Sequence, residues 1–391
     1  MTPSLFKPLT LPCGVQMKNR IAKSAMSDSL GDGRGNPTPA QIRLYERWAE
    51  GGAALTIIGE VQGDPSAAEK PGNLVLGPLS DKAMLRELAS RGGADQTQLW
   101  CQLGHAGAMA HPPIGDPRGP SALDLPGLTC RSLTLDEIAT LPAQFAGTAA
   151  RAKSLGFGGI QIHAAHGFLL SQFLSPLFNK RTDQYGGSLA HQMRILLEVI
   201  DEVRDAVGPD YPIGLKLNAT DQLEGGFDQA EALETLKALE TTSLDLIDIS
   251  GGTYFPGAKS ASDRAGGGPY FTEFGKLARS KTTKPLMITG GFKTAAEAKD
   301  AISTGAADIV GLARAFIIAP DLPRRWKAGK EVRFPRFEDP PEGGVTAWYT
   351  QAITELGNDR ALPSSTDVAG ALAAYNARDA DRINVWNTHF C

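Results

Sequence analysis

Gly158-Gly-Ile-Gln-Ile-His163-Ala-Ala-His166-Gly167 is the stretch that decides the fold. A short apolar run, opened by glycine, gives way to two imidazoles three positions apart. This is the pattern of a buried parallel strand with its chemistry at the carboxyl end, where barrel enzymes keep their functional groups. Seven more runs of this character occur, at residues 20–26, 54–60, 97–103, 213–217, 244–250, 285–289 and 308–312, with helical patterns between them. Counted with 158–163, eight strands alternating with helices predict an α/β chain folded as a (β/α)8 TIM barrel over residues 1–330.

The helices carry their own punctuation. Thr134-Leu-Asp-Glu137 and Thr294-Ala-Ala-Glu297 have the spacing of a capping box, in which hydroxyl and carboxylate satisfy each other's free amides. Residues 188–207 predict a long amphipathic helix with Met193, Leu196, Leu197, Ile200 and Val203 on its apolar stripe and Gly208 as its stop. Three insertions, at about 104–132, 164–187 and 251–269, all follow strands and therefore fall on the catalytic face. The last is glycine-rich and reads equally as a mobile lid or as simple turns. Residues 331–391 are expected to form a C-terminal extension, helical over 347–355 and 366–378, packed on the barrel or on a neighbouring subunit. Trp348, Tyr349 and Trp386 suit either docking.

Composition narrows the function. The 391 residues are 42% hydrophobic, enough for a large core, and the net charge of −4 offers no footprint for nucleic acid or an anionic membrane. The amino-terminal residues lack a signal-peptide pattern, and no run is long and apolar enough to span a bilayer, so a cytoplasmic protein with small-molecule partners is expected. Cys13, Cys101, Cys130 and Cys391 are scattered, without the spacing of a zinc site or an iron–sulfur centre. No G-x-G-x-x-G follows a strand, so a nicotinamide would have to visit the barrel mouth.

Several polar residues are placed to meet there. His163 and His166 can donate hydrogen bonds to a substrate oxygen, and Gln102 and Lys216 can face an electron-rich ring. Lys216 could instead snorkel or pair with a buried carboxylate. Thr289-Gly290-Gly291 and Gly311-Leu-Ala313-Arg314 end the seventh and eighth strands, where barrels commonly hold phosphate. A His-x-x-His metal site lacks a third ligand nearby, and no metal is expected.

The chain resembles the Old Yellow Enzyme family of FMN-dependent NAD(P)H oxidoreductases over roughly Leu5 to Trp326. The resemblance is carried, in the family's order, by Leu5-Phe-Lys-Pro-Leu, Lys18-Asn-Arg-Ile-Ala-Lys-Ser-Ala-Met26, Gln102-Leu-Gly-His-Ala-Gly107, His163-Ala-Ala-His-Gly167, Gln172-Phe-Leu-Ser-Pro176, Asn179-Lys-Arg-Thr-Asp-Gln-Tyr-Gly-Gly187 and Gly311-Leu-Ala-Arg314. It implies non-covalent FMN, with Ser24, Ala25, Met26, Ser27, Gly59 (the small residue after strand two), Gln102 and Lys216 toward the ring. Gly290, Gly291, Ala313 and Arg314 would cradle the phosphate. It also implies a ping-pong ene-reductase: NAD(P)H reduces the flavin, then an α,β-unsaturated carbonyl compound held by His163 and His166 takes hydride at its β-carbon. The four scattered cysteines and the chain's length predict direct use of NAD(P)H, without the cysteine cluster and added domains of larger members. A homo-oligomer is expected from the resemblance alone.

Phe168 departs from the family, which usually has a proton-donating tyrosine two residues after the second histidine. Phe168 would line the substrate pocket but cannot donate, so Tyr254 or solvent is the expected proton source. Ser29 likewise lies near where some relatives place a substrate-facing tyrosine. These departures keep an NAD(P)H oxidase or a flavin, quinone or nitro reductase as the alternative, and a low-turnover flavin-binding protein as a third reading.

Overall fold

The eight strands close on themselves. In the computed structural model, which describes residues 4–258 and 268–390, they are β1 (Ile21–Lys23), β2 (Leu55–Gln62), β3 (Gln98–Leu103), β4 (Gly159–Ala164), β5 (Ile213–Asn218), β6 (Leu246–Ser250), β7 (Leu286–Thr289) and β8 (Ile309–Leu312). Each pairs in parallel with the next, and β8 pairs with β1 to complete the barrel. The crossover helices are α1 (Pro39–Glu50), α2 (Lys82–Gly92), α3 (Leu135–Ser154), α4 (Leu189–Val207), α5 (Gln229–Leu239), α6 (Thr272–Ala278), α7 (Ala295–Ser303) and α8 (Leu322–Lys327). No helix among the described residues is long and apolar enough to cross a membrane.

The anticipated caps are present. Thr134 Oγ1 accepts from the Glu137 amide at 3.1 Å while Glu137 accepts from the Thr134 amide at 2.8 Å, and Thr294 and Glu297 do the same for α7. Asp228 and Glu231 form a third such box on α5, with aspartate in place of the hydroxyl residue. Ser188 caps α4, and Gly208, at φ +76°, ends it.

The barrel has an apolar floor. Trp100 is fully buried inside it, against Ala22, Leu55, Ile57, Leu246, Met287 and Ile309. Gly159 and Gly214 lie under the indole where a Cβ would press into the ring, so these strand glycines are set by a close approach. Truncating such a plug costs about 3–5 kcal/mol. Its effect is to keep the polar groups above it on a dry base.

Three sequence expectations are corrected. The strand expected over 20–26 ends at Lys23, because the chain then lifts away and carries residues 24–27 across the mouth. Gly59 lies within β2, not after it. The last helix, α10 (Val368–Phe390), runs twelve residues beyond the expected 378. The insertion after β3 contains a small sheet, Arg118–Gly119, Leu123–Leu125 and Leu128–Ser132.

The C-terminal helices lie on the chain's own barrel. α9 (Gly344–Gly357) packs beside α1, where Arg43 and Arg47 pair with Asp359 at 2.9 and 3.2 Å. α10 leans over the loop that follows β2, burying Trp386 completely against Ala68, Val75 and Ile114. One turn earlier, Arg382 donates to the Ser29 carbonyl at 2.6 Å.

Candidate active site

Strand register assembles the floor of the site. Gln102 on β3 lies opposite Gln161 on β4, His163 on β4 opposite Lys216 on β5, and Lys216 opposite Asp248 on β6. Residues in register on one face of a parallel sheet are neighbours, so these side chains meet above Trp100. Gln102 Nε2 donates to Gln161 Oε1 at 2.8 Å, and Gln161 Nε2 donates to Asp248 Oδ2 at 3.1 Å. Lys216 Nζ lies 3.0 Å from the same carboxylate oxygen and donates to Ser24 Oγ at 3.0 Å. Thr289 Oγ1 closes the network, donating to Asp248 Oδ1 at 2.6 Å. The ion pair is almost wholly buried, which is tolerable only because these bonds fill the remaining donor and acceptor positions.

His163 and His166 stand beside this network. His163 Nε2 is 3.4 Å from His166 Nδ1, and His166 Nε2 is 2.9 Å from Ser250 Oγ. Burial, reinforced by the nearby Lys216 cation, pushes His163 down to about 3 and His166 well below the usual imidazole value. Both rings are therefore neutral at physiological pH. His166 has a left-handed backbone, φ +61°, an uncommon conformation for a residue with a Cβ. Two bonds hold it: its amide donates to Asn218 Oδ1 at 3.1 Å, and its carbonyl accepts from the Tyr254 amide at 3.1 Å. The turn thus aims His166 back at the mouth and tethers the loop after β6 beside it.

On its outer side the pair meets an aromatic wall. The Phe168 ring is 4.8 Å from His163 and 5.8 Å from Tyr254, centroid to centroid. Tyr254 is 58% exposed, and with Phe168, Glu69, Lys70, Met109 and His111 it lines an open cavity of about 360 Å³. Ser29 does not face this space. Its side chain is buried against Gly72, and Arg382 holds its carbonyl.

The remaining expected residues fall into two groups. Ala25, Met26 and Ser27 cross the mouth half-buried, and the Met26–Ser27 backbone lies so close to Gly59 that a Cβ there would collide with it. At the end of β7, Gly290 and Gly291 have φ +125° and +82°, and the carbonyl of Gly268 occupies the place of a Gly291 Cβ. Arg314 opens a short helix after β8, its guanidinium 5.7 Å above the Tyr349 ring. It has no carboxylate partner among the described residues. Of the insertion read as a lid, residues 259–267 lie outside the described residues.

Sequence reasoning missed Glu60, Gln161, Asp248 and Ser250, and read Thr289 only as part of a phosphate loop. Gln161 and Asp248 are polar residues inside apolar strands, and Ser250 and Thr289 are strand-end residues on the mouth side, whereas Glu60 lies within β2 and gave no such signal.

The donors suit a ring with a phosphate tail: Lys216 and Ser24 at the floor, an accessible backbone after β7 and, after β8, the Arg314 guanidinium, without a carboxylate partner among the described residues. No group of three or more metal-ligating side chains competes with that reading among the described residues. The protein class so defined is the barrel oxidoreductase that works through FMN. Residues 4–332 match the model of the NADH:flavin oxidoreductase / NADH oxidase family, and the chain belongs to this family, the Old Yellow Enzyme group. FMN is its cofactor, with NADH or NADPH as hydride donor.

Relatives agree. The NADH-dependent flavin oxidoreductase iliE of Neonectria sp. (strain DH2) is 34% identical over 81% of this chain. The match takes in only 46% of that protein, so the chain spans about half of its length. The NADPH dehydrogenase of Bacillus subtilis (strain 168) is 32% identical over 83% of the chain and 94% of the relative. Among solved structures, morphinone reductase superposes with a TM-score of 0.74 at 27% identity, covering 86% of this chain and 92% of that one.

Proposed function

We propose that the protein is an ene-reductase, which reduces the carbon–carbon double bond of an α,β-unsaturated carbonyl compound with reducing equivalents from NADH or NADPH. The observation that carries this reading is the neutral His163–His166 pair, with ring nitrogens 3.4 Å apart at the barrel mouth. Two imidazole N–H groups converging on one carbonyl oxygen draw electron density from the conjugated alkene and stabilise the negative charge that develops on that oxygen. Bound FMN supplies hydride for the β-carbon.

The chain's own groups do the rest. Ser24, Ala25, Met26, Ser27, Gly59, Gln102 and Lys216 would hold the ring, and Gly290, Gly291, Ala313 and Arg314 the phosphate. Lys216, held by Asp248, puts a fixed positive charge where electron density accumulates. Phe168 covers the outer face of His163 and keeps water from it. Tyr254, next to Phe168 and open to the cavity, is the proton source for the α-carbon.

The test is spectroscopic and anaerobic. The purified yellow protein is expected to bleach with NADPH and to regain its colour when 2-cyclohexenone is added. Colour that returns only with oxygen or a quinone would favour an oxidase or quinone reductase. Phe168 is the observation behind that second reading, since those acceptors need no phenolic donor at its position.

A further inference from the structure

We infer that Glu60 is a positioning residue whose carboxyl, set behind the His163 ring by a backbone bulge, decides which ring nitrogen of His163 carries the proton. The inference rests on the ene-reductase reading and adds to it the control of the substrate-facing N–H.

The local geometry is unusual and specific. The pairing of β2 with β3 slips between Ile58 and Val61, and within the slip Glu60 has φ +55°. Such a bulge turns a side chain out of the strand's alternation, and here it turns a carboxyl into the barrel. Glu60 Oε1 lies 3.1 Å from His163 Nδ1, off the axis of the ring N–H, and both side chains are at least 95% buried. Neither Nδ1 nor Glu60 Oε2 has a hydrogen-bond partner among the described residues. Gly104 packs directly on Oε2, where any side chain would displace it. Space has been left for this carboxyl, against this nitrogen.

A neutral imidazole has one N–H, on Nδ1 or on Nε2. With Glu60 protonated, its O–H donates to Nδ1 and leaves the ring proton on Nε2, the nitrogen that faces His166 and the substrate oxygen. With Glu60 ionised, the carboxylate takes the Nδ1–H, and Nε2 presents a lone pair that repels a carbonyl oxygen. Burial raises Glu60 to about 8, with Lys216 on β5 opposing the rise. The other groups facing it are Glu69 on the loop after β2 and Tyr254 on the loop after β6, and Glu69 in turn feels Lys70 beside it and Asp379 of α10. His163 itself also feels Asp248 on β6 and His166 on its own turn. The balance leaves Glu60 protonated near neutrality, the state that arms Nε2.

Nitrogen NMR of the FMN-loaded protein labelled with ¹⁵N-histidine reads the tautomer directly, whatever the substrate, with His163 assigned from the signals lost in His163→Gln. The proton is expected on Nε2 below pH about 8 and on Nδ1 above it, while Glu60→Gln, whose amide does not titrate, holds one tautomer throughout. Enone reduction by the wild type should fall about tenfold per pH unit on the alkaline side, and Glu60→Gln should lack that limb. A His163 proton that stays on one nitrogen across the wild-type titration overturns the inference, and this measurement needs no Glu60 variant to fold. A Glu60→Gln protein that switches as the wild type does overturns it too. A tautomer that switches in a protein unable to reduce any enone would leave the Glu60 assignment standing and remove the ene-reductase reading instead.

Discussion

Asp248→Asn tests the claim that the site's cation is held by a buried partner. The substitution keeps the shape of the side chain and the acceptor for Thr289 Oγ1, at 2.6 Å, but removes the charge 3.0 Å from Lys216 Nζ. With an effective dielectric constant of about 20, a pair at this distance attracts by roughly 5 kcal/mol. The new amide also turns a donor toward Lys216 and Gln161 Nε2, both of which are donors. Breaking a buried pair from one side typically costs about 3–5 kcal/mol, and that is the loss expected here in urea unfolding of the FMN-free protein. Adding Lys216→Met should recover part of it, because the cost comes mainly from an unpaired buried cation. A loss below about 1 kcal/mol, or no recovery in the double variant, would refute the reasoning and mean that the ammonium reaches water.

Three further outcomes are expected. Tyr254→Phe should leave flavin content and reduction by NADPH intact and slow reoxidation by enone about 10² to 10⁴-fold in stopped-flow measurements; an unchanged rate would assign the proton to solvent. Glu60 and Glu69 are raised by burial to about 8 and about 7, so the folded chain keeps two protons that the unfolded chain releases from pH about 4.5 upward. Stability should therefore fall as pH rises through that window, with a smaller fall in Glu60→Gln, and melting temperatures rising with pH would contradict the sign. Gly59→Ala puts a methyl group into the Met26–Ser27 backbone, and a loss of about 1–3 kcal/mol with weaker FMN retention is expected in calorimetry and flavin titration.

Most of the barrel was legible because its strands are buried on both faces and read as nearly unbroken apolar runs, while Thr134 and Thr294 announce their helices by cap spacing. The first strand was overextended since residues 24–26, Ser-Ala-Met, carry no turn signal after they leave the sheet. The end of α10 was missed for the opposite reason. Only Ala371, Asp379 and Trp386 are buried along its length, so it carries little apolar periodicity. At the site, His163, His166 and Lys216 could be found from their places at strand ends. That Lys216 pairs with Asp248 depends on which residues of β5 and β6 stand opposite each other, a register that no single strand encodes. Glu60 was hidden more deeply, because by simple alternation its side chain leaves the barrel and only the bulge brings it in.

The bond between Arg382 and the Ser29 carbonyl spans 353 positions of sequence. During synthesis the first turn of the barrel leaves the ribosome long before the helix that clasps it, so this clasp forms late, after the strands beneath it can already have closed. On the same helix the Tyr375 ring lies under the ammonium of Lys70, which lines the cavity. Substitutions along this helix can in this way reshape what enters a cavity whose chemistry is set by strands made much earlier. The last helix is a place where acceptor preference can drift while the flavin machinery stays as it is.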